Sequence, residues 1–227
     1  VVSGGHTALL LVRHDSSSEI VGTTLDEAAG EAFDKGAKIM GLGYPGGPAV
    51  QKMSRGGNIA KFAFPRALTG SAGKALSPED RFNFSFSGLK TSLLRHCQKF
   101  EIEMKDAKFA SDTAASYQEA ICDVLFRKTL NAANYFSAAT IVLCGGVACN
   151  SALREKFSKG VPGGIKLITA KPEYCTDNAA MIAACAWRRL ETSERKYDVD
   201  VFSRIGKLER LSYIFNFGSR ASLTASP

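Results

Sequence analysis

Two glycine turns, each next to an apolar run, contain the residue types in this sequence best suited to binding an anion. The first is VVSGGHT (1–7), where paired glycines interrupt an apolar run that resumes in ALLLV (8–12). Glycines inside a strand indicate a tight turn or a close approach by another backbone or a ligand. Exposed backbone N–H groups at such a turn, with nearby hydroxyls, can donate hydrogen bonds to phosphate oxygens.

The second turn is GGVACN (145–150), which follows the apolar segment ATIVLC (139–144). Asn150 stands at the start of the next predicted helix, where its amide can bond a ribose or a phosphate. Each turn alone could be only a tight turn, and Asn150 only a helix cap. Together the two turns favour nucleotide binding between two glycine-lined edges.

Familiar catalytic motifs do not account for the sequence. GLGYPG (41–46) matches the spelling GxGxxG, but it follows a predicted helix and contains Pro45, so it predicts a turn. SGLK (87–90) matches SxxK, but the companion motifs of penicillin-binding enzymes are absent, so a helix start is the better interpretation. The sequence contains no HExxH, GxSxG or Walker A motif. The sequence therefore has none of these motifs to support a protease or a P-loop function.

Alternating strand and helix patterns around these turns predict an α/β protein. Thr24 and Glu27 have the spacing of a capping box and predict a helix over about 25–41. GYPGGP (43–48) predicts a rigid turn, and the alternating phenylalanines of RFNFSFSGLK (81–90) predict a half-buried strand. The remaining predicted elements are a helix capped by Ser87, a helix over 111–136, a strand over 139–144, a helix over SALREKF, a strand over 165–169, and a helix over 176–190 capped by Thr176 or Asp177.

Composition and charge bound the function without fixing it. The 227 residues include 45% apolar residues and 29 Lys and Arg against 22 Asp and Glu, a net charge of +7. This basic excess permits a nucleic-acid partner but does not require one. Apolar runs fall far short of the ~20 residues of a membrane span, so no membrane association is expected. The six cysteines form no CxxC pair, which favours free thiols over a disulfide framework or a zinc site.

Several of these segments, taken in order, resemble one known family. They are VSGGHT, GTTLDEAAGEAFDK (22–35), GLGYPGGP (41–48), FPRAL (64–68), FSFSGLKT (84–91), CGGVACN (144–150) and TDNAAMIA (176–183). This series resembles the signature segments of the TsaD family, the tRNA N6-adenosine threonylcarbamoyltransferases, once described as O-sialoglycoprotein endopeptidases. The resemblance covers residues 1–191, a TsaD-like nucleotide-binding lobe. Residues 192–227 are predicted to be a divergent C-terminal tail that is partly disordered.

The resemblance implies an actin-like ATPase fold of the ASKHA, RNase H-like class. The chain would correspond mainly to the second lobe, with the first lobe missing or truncated. The family's substrate-binding positions fall on Val1, Val2, Ser3, Gly4, Gly5, Asp34, Gly47 and Asn150, and its metal-binding aspartate falls on Asp177. Without the resemblance, Asp34 would be a solvated helix acid, and Asp177 an acid stabilised by a helix N-terminus.

The metal site implied by the family is incomplete in this sequence. The family holds one iron or zinc ion per subunit with two histidines of an HxxxH helix and the aspartate that matches Asp177. The only histidines are His6, His14 and His96, and no two are four residues apart. In the family the HxxxH helix lies upstream of SGGHT, so that region is expected to be missing here. The chain alone is therefore expected to be inactive and to hold no stoichiometric metal, since only His6 could substitute.

The function implied by the resemblance is acyl transfer. The threonylcarbamoyl group of threonylcarbamoyl-AMP would pass to N6 of the adenosine adjacent to the tRNA anticodon. The expected partners are tRNA, an adenine nucleotide and other threonylcarbamoyladenosine-biosynthesis proteins. The expected location is the cytoplasm, or an organelle if a targeting segment precedes Val1. Candidate tRNA contacts are the basic residues Arg66, Lys90, Arg95 and Arg127.

Two alternatives to this enzyme remain open from the sequence. One is a non-catalytic nucleotide-binding paralogue or scaffold of the tRNA modification complex. The presence of Asp34, Asn150 and Asp177 together favours the enzyme, because a scaffold needs no metal-binding acid. The other is a glycoprotease, for which no set of hydrolytic residues can be assembled.

Overall fold

The computed structural model describes residues 1–14, 17–70 and 77–189, apart from the side chains of residues 188 and 189. The predictions for the tail 192–227 lie outside these residues. The described elements are β1 (Ala8–Val12), β2 (Ser18–Thr23), α1 (Ala29–Ile39), α2 (Gly46–Met53), α3 (Ser87–Lys99), α4 (Ala107–Tyr135), β3 (Thr140–Leu143), α5 (Ser151–Gly160), β4 (Lys166–Thr169) and α6 (Ala179–Arg189). Single 3₁₀ turns cover Glu103–Lys105, Gly146–Cys149 and Pro172–Tyr174.

The strands form two small sheets that the first residues of the chain connect. Strands β1 and β2 pair in antiparallel fashion, and β3 and β4 pair in parallel. Val2 donates its N–H to the Cys144 carbonyl at 2.8 Å, and its carbonyl accepts from the Val147 N–H at 3.0 Å. The first glycine turn is thereby fixed beside the second. The mixed α/β class predicted from the sequence is confirmed.

Helix α4 forms the centre of the core, because its residues are buried along most of its length. Tyr117 is fully buried and donates its hydroxyl hydrogen bond to the Ala32 carbonyl of α1 at 2.8 Å. A Cβ atom at Gly36 would lie 2.4 Å from Cε1 of Tyr117, so only glycine allows this close packing. These contacts fix the position of α1 along α4, and Asp34 is a residue of α1.

Helix α1 begins four residues later than predicted, at Ala29. The predicted capping box is wrong, because the Thr24 hydroxyl donates to the Glu27 carbonyl at 2.5 Å instead of capping a helix. The Ala28 N–H donates to the Glu31 carboxylate at 3.0 Å, so the acid of the first turn is Glu31. The segment before α1 is instead held by Asp26.

The segment RFNFSFSGLK does not form the predicted strand. Phe84 makes one isolated parallel bridge to Thr24, and Phe82, Phe84 and Phe86 are all buried. The Asp26 carboxylate accepts from the Ser85 and Ser87 hydroxyls at 2.6 and 2.7 Å and from the Phe86 N–H at 2.8 Å. Ser87 is therefore the first residue of α3 and not its cap.

Two other helix starts also differ from prediction. GYPGGP is a turn only as far as Pro45, because α2 begins at Gly46. Pro48 lies in the first turn of α2, where its missing N–H removes no helical hydrogen bond. Helix α6 is capped by Asn178, which accepts from the Met181 N–H at 3.0 Å, and not by Thr176 or Asp177.

Two sequence expectations concern the chain as a whole. The six cysteines are free thiols, as predicted, but the expectation that they are buried is correct only for Cys122 and Cys175, and Cys149 and Cys185 are exposed. Among the described residues, no helix is long and apolar enough to cross a membrane.

Candidate functional site

A cavity of about 470 Å³ opens where the two glycine turns meet helices α1 and α2. Four of the predicted substrate-binding residues line this cavity, Gly4, Asp34, Gly47 and Asn150. They come from four segments that are far apart in the sequence. Other lining residues are Gly30, Phe33, Tyr44, Gln51, Val147 and Thr176. A cavity of this size is typical of small-molecule sites.

The first wall of the cavity is the turn Ser3–His6. Ser3 donates its N–H to the His6 carbonyl at 2.8 Å, and the His6 N–H donates to the Ser3 hydroxyl oxygen at 3.1 Å. The Ser3 hydroxyl is thus used within the turn. The N–H groups of Gly4 and Gly5 donate to no acceptor in the described part of the chain, and a Cβ on either glycine would meet nothing within 4 Å. This turn can present two amides to an anion at close range.

The N-terminus of α1 holds this turn in place. Gly30 donates its N–H to the Ser3 carbonyl at 3.2 Å, and Ala29 donates to the Thr7 hydroxyl oxygen at 2.9 Å. A Cβ at Gly30 would lie 2.5 Å from the Gly4 Cα and 2.6 Å from the Ser3 carbonyl oxygen. Only glycine at position 30 lets the turn sit this close to the helix.

Asp34 and the start of α2 form the second wall. Oδ1 of Asp34 accepts from the Gly46 N–H at 2.8 Å, and a Cβ at Gly46 would lie 2.4 Å from the Asp34 Cα. Oδ2 takes no hydrogen bond from the residues that the structure describes. A carboxylate held through one oxygen and free at the other can accept hydrogen bonds from ligand hydroxyls. Gly47 leaves open space beside it, since a Cβ there would meet nothing within 4 Å.

Asn150 forms the third wall and is largely committed to the fold. Its Oδ1 caps α5 by accepting from the Leu153 N–H at 3.0 Å, which confirms the helix-cap interpretation. Its Nδ2 donates to Oε1 of Gln118 at 2.8 Å, and Gln118 donates to the Ser54 hydroxyl at 3.0 Å. This chain of hydrogen bonds connects α5, α4 and the end of α2. One amide N–H of Asn150 remains for a ligand.

The other predicted substrate-binding residues do not line the cavity. Val2 is buried and supports it through the two backbone bonds described above. Val1 pairs with Ala8, and the backbones of Ser3 and Gly5 complete the first turn. A role for these four residues in ligand binding stays a prediction.

Asp177 is exposed, directly after the cavity residue Thr176. Within residues 1–14, 17–70 and 77–189 there is no group of three His, Cys, Asp or Glu that could hold a metal ion. A tight iron or zinc site needs at least three protein ligands of this kind. The described residues therefore do not fit a complete metal centre, and a metal-binding role for Asp177 stays a prediction.

Comparison with known proteins decides the family. Residues 1–184 match the family model TsaD, tRNA N6-adenosine threonylcarbamoyltransferase. The chain belongs to the TsaD family. It is 49% identical over 189 residues to the tRNA N6-adenosine threonylcarbamoyltransferase of Thermosipho africanus, covering 83% of this chain and 54% of that protein. It is 47% identical over 206 residues to the same-named protein of Chlorobium limicola, covering 89% of this chain and 58% of the relative.

A third same-named relative, from Prosthecochloris aestuarii, is 45% identical over 206 residues, covering 89% of this chain and 59% of that protein. The chain therefore spans between half and two thirds of the length of these TsaD relatives. The resemblance inferred from the motif series is confirmed, over almost the same residues.

The basic residues proposed as tRNA contacts of this TsaD member are mostly paired. Arg66 and Arg127 both bind Asp123, at 3.3 and 3.0 Å, and Lys90 binds Glu27 at 2.6 Å. Arg95 is exposed and makes no ion pair with any described residue. Of the four candidates, Arg95 is thus the most available to a phosphate.

Sequence reasoning missed two residues of the site. Gln118 holds Asn150 in position, and no sequence signal distinguishes it from the other polar residues of α4. Tyr44 is 86% exposed at the cavity edge, where an aromatic ring is available to stack on a base. The GYPGGP motif contains Tyr44, but a turn alone gave no reason to single it out.

Proposed function

We propose that this chain is the adenylate-binding part of a tRNA N6-adenosine threonylcarbamoyltransferase. In this reaction the threonylcarbamoyl group of threonylcarbamoyl-AMP passes to N6 of the adenosine adjacent to the tRNA anticodon. The observation that carries the proposal is the cavity, which brings Gly4, Asp34, Gly47 and Asn150 together from four separate motifs. The corresponding fold is the second lobe of an actin-like ATPase.

The groups around the cavity suit the parts of an adenylate. The free oxygen of Asp34 accepts hydrogen bonds from ribose hydroxyls. The unpaired amide of Gly4, which lines the cavity, and that of Gly5 beside it in the same turn would donate to the phosphate, since no Lys or Arg lines the cavity. Phe33 and Val147 supply apolar surface for adenine. The glycines keep the backbone accessible at the points where the ligand is closest.

The chemical step is a balanced acyl transfer. The N6 amine of the tRNA adenosine attacks the carbamoyl carbon, and the bond from that carbon to the phosphate oxygen breaks. AMP departs with the electron pair, and the attacking nitrogen loses one proton. Amides of the Ser3–His6 turn that bind the phosphate would stabilise the charge that grows on the leaving group.

An iron or zinc ion is implied by the family resemblance, and Asp177 would supply one carboxylate to it. Because the described residues do not fit a complete centre, the roles proposed here rest on nucleotide contacts alone. The proposed partners are an adenine nucleotide, tRNA, with Arg95 as a phosphate contact, and other threonylcarbamoyladenosine-biosynthesis proteins. The proposed location is the cytoplasm.

The experiment that tests this function is nucleoside analysis of tRNA from cells of the source organism depleted of the protein. We expect threonylcarbamoyladenosine to fall, the wild-type gene to restore it, and an Asp34→Asn gene to restore less. Glu155→Gln is the matched control, because Glu155 is an exposed acid on α5 whose ion-pair partner in the described part of the chain is Lys159 alone. Normal threonylcarbamoyladenosine in depleted cells that have no second such enzyme would refute the proposal.

A further inference from the structure

Two cysteines, one of which lines the cavity, donate hydrogen bonds to the same carbonyl group. The Cys149 thiol donates to the Pro172 carbonyl at 3.8 Å, and the Cys175 N–H donates to the same oxygen at 3.2 Å. Both residues therefore bind the same carbonyl oxygen, and burial above all, with Cys175 as a smaller cause, raises the pKa of Cys149. This pair could not be predicted from the sequence, because 25 residues lie between the two cysteines.

Arg154 holds the two cysteine-bearing segments together. Its guanidinium donates to the Ala148 carbonyl at 2.5 Å, to the Ala170 carbonyl at 2.6 Å and to the Cys175 sulfur at 3.4 Å. One end of this network is the 3₁₀ turn Gly146–Cys149, and the other is the segment after β4.

The two thiols differ in accessibility. Cys149 is exposed and lines the cavity, whereas Cys175 is only 5% exposed. An exposed thiol that reacts first and a buried thiol that then displaces the adduct are the two parts that disulfide exchange requires.

We propose that Cys149 and Cys175 form a reversible dithiol–disulfide site that reacts with low-molecular-weight disulfides. The Cys149 thiolate attacks one sulfur of the small disulfide and forms a mixed disulfide, which releases one small thiol. Cys175 then attacks the Cys149 sulfur, forms the protein disulfide and releases the second small thiol. Two protein thiols are oxidised, one small disulfide is reduced to two thiols, and the two protons end on the released thiols.

This bond would join the two segments that border the cavity. Cys149 is adjacent to Asn150, and Cys175 is adjacent to Thr176, both of which line the cavity. Oxidation would therefore lock the relative position of these walls. If the proposed nucleotide function holds, oxidation changes AMP affinity, but formation of the bond does not depend on that function.

The test is peptide mapping of the purified 227-residue chain after incubation with oxidised glutathione. Free thiols are blocked with iodoacetamide before digestion with trypsin and Asp-N, which cleaves before Asp177 and so separates Cys175 from Cys185. Fragmentation of the linked peptides by tandem mass spectrometry then distinguishes Cys149 from Cys144, which lies in the same tryptic peptide. We expect the Cys149–Cys175 linked peptide to exceed any other cysteine pair by about tenfold. Reduction with dithiothreitol should restore both thiols.

Three variants make the result specific. Cys175→Ser should stop at a stable glutathione adduct on Cys149, and Cys149→Ser should leave Cys175 largely unmodified. Cys185→Ser is the control, because Cys185 is also exposed but lies on α6 and has no part in the proposed bond. The proposal is overturned if wild-type protein stops at the Cys149 adduct, if Cys149 remains unmodified, or if Cys149 links to Cys185 as often as to Cys175.

Discussion

Replacing Gly30 by alanine should destabilise the protein, although alanine is the better helix former. The new Cβ would lie 2.5 Å from the Gly4 Cα, 2.6 Å from the Ser3 carbonyl oxygen and 2.9 Å from the Gly4 nitrogen. All three are backbone atoms, so relief requires moving the turn or the helix. The expected consequence is displacement of the Ser3–His6 turn from its place at the cavity.

The magnitude follows from two opposing terms. Overpacking a close contact costs about 1–3 kcal/mol, and three backbone overlaps place Gly30→Ala in the upper part of that range. The gain in helix propensity offsets up to about 1 kcal/mol. We therefore expect the free energy of unfolding to fall by about 1–2 kcal/mol.

The assay is urea unfolding of the chain, followed by circular dichroism. Gly88→Ala is the matched control, because Gly88 is also the second residue of its helix and a Cβ there would meet nothing within 4 Å. That control should gain up to about 1 kcal/mol, so the two variants should differ by about 2–3 kcal/mol. Equal stability of Gly30→Ala and Gly88→Ala would refute the account of why the turn needs glycine at position 30.

Three further substitutions test other parts of the structure. Burial lowers the pKa of the fully buried Lys128 to about 8 from 10.5. Between these pH values the unfolded chain binds more protons than the folded chain, so the free energy of unfolding should rise with pH. In urea unfolding we expect this rise to be about 1–3 kcal/mol relative to Lys128→Met. Partial burial acts to raise the pKa of Asp26, but its hydrogen bonds outweigh this effect and lower the pKa to about 2. The wild-type chain should therefore be more stable than Asp26→Asn by roughly 1 kcal/mol above pH 3.8. In acid unfolding this difference should disappear as the pH falls from 3.8 toward 2. Asp34→Asn should weaken AMP binding by about 1–3 kcal/mol in calorimetry, whereas Glu155→Gln should not. The role of Lys128 would be contradicted if stability did not change with pH relative to Lys128→Met, and that of Asp26 if Asp26→Asn left the midpoint of acid unfolding unchanged. The role of Asp34 would be contradicted if Asp34→Asn left the AMP affinity unchanged.

The sequence predicted the fold class and most of the helices because these depend on local hydrophobic periodicity. The predicted starts of the helices that begin at Ala29 and Ser87 were wrong, because a contact distant in the sequence determines them. Asp26 binds the backbone and hydroxyls of residues about 60 positions later, and this tertiary contact overrides the local capping signals. No pattern within a short window shows such a contact.

In the candidate site, too, residues in recognisable motifs could be predicted, and residues that act through tertiary contacts could not. Gly4, Asp34, Gly47 and Asn150 could be singled out because each lies in a motif that resembles a known family. Gln118 and the Cys149–Cys175 pair could not, since their roles arise from neighbours on other segments. The helix-cap interpretation of Asn150 was correct without the resemblance, because capping depends on local backbone geometry.

We propose above that an adenine nucleotide binds in the cavity between the two glycine turns. The most direct measurement is calorimetric titration of AMP into the chain, compared with Gly47→Val and Gly88→Val. Both glycines are second residues of helices where a Cβ would meet nothing within 4 Å, but of the two only Gly47 lines the cavity. The account predicts that wild type and Gly88→Val bind AMP alike and that Gly47→Val binds about tenfold or more weakly. AMP affinity that is unchanged in Gly47→Val, or an absence of AMP binding to the wild-type chain, would contradict it.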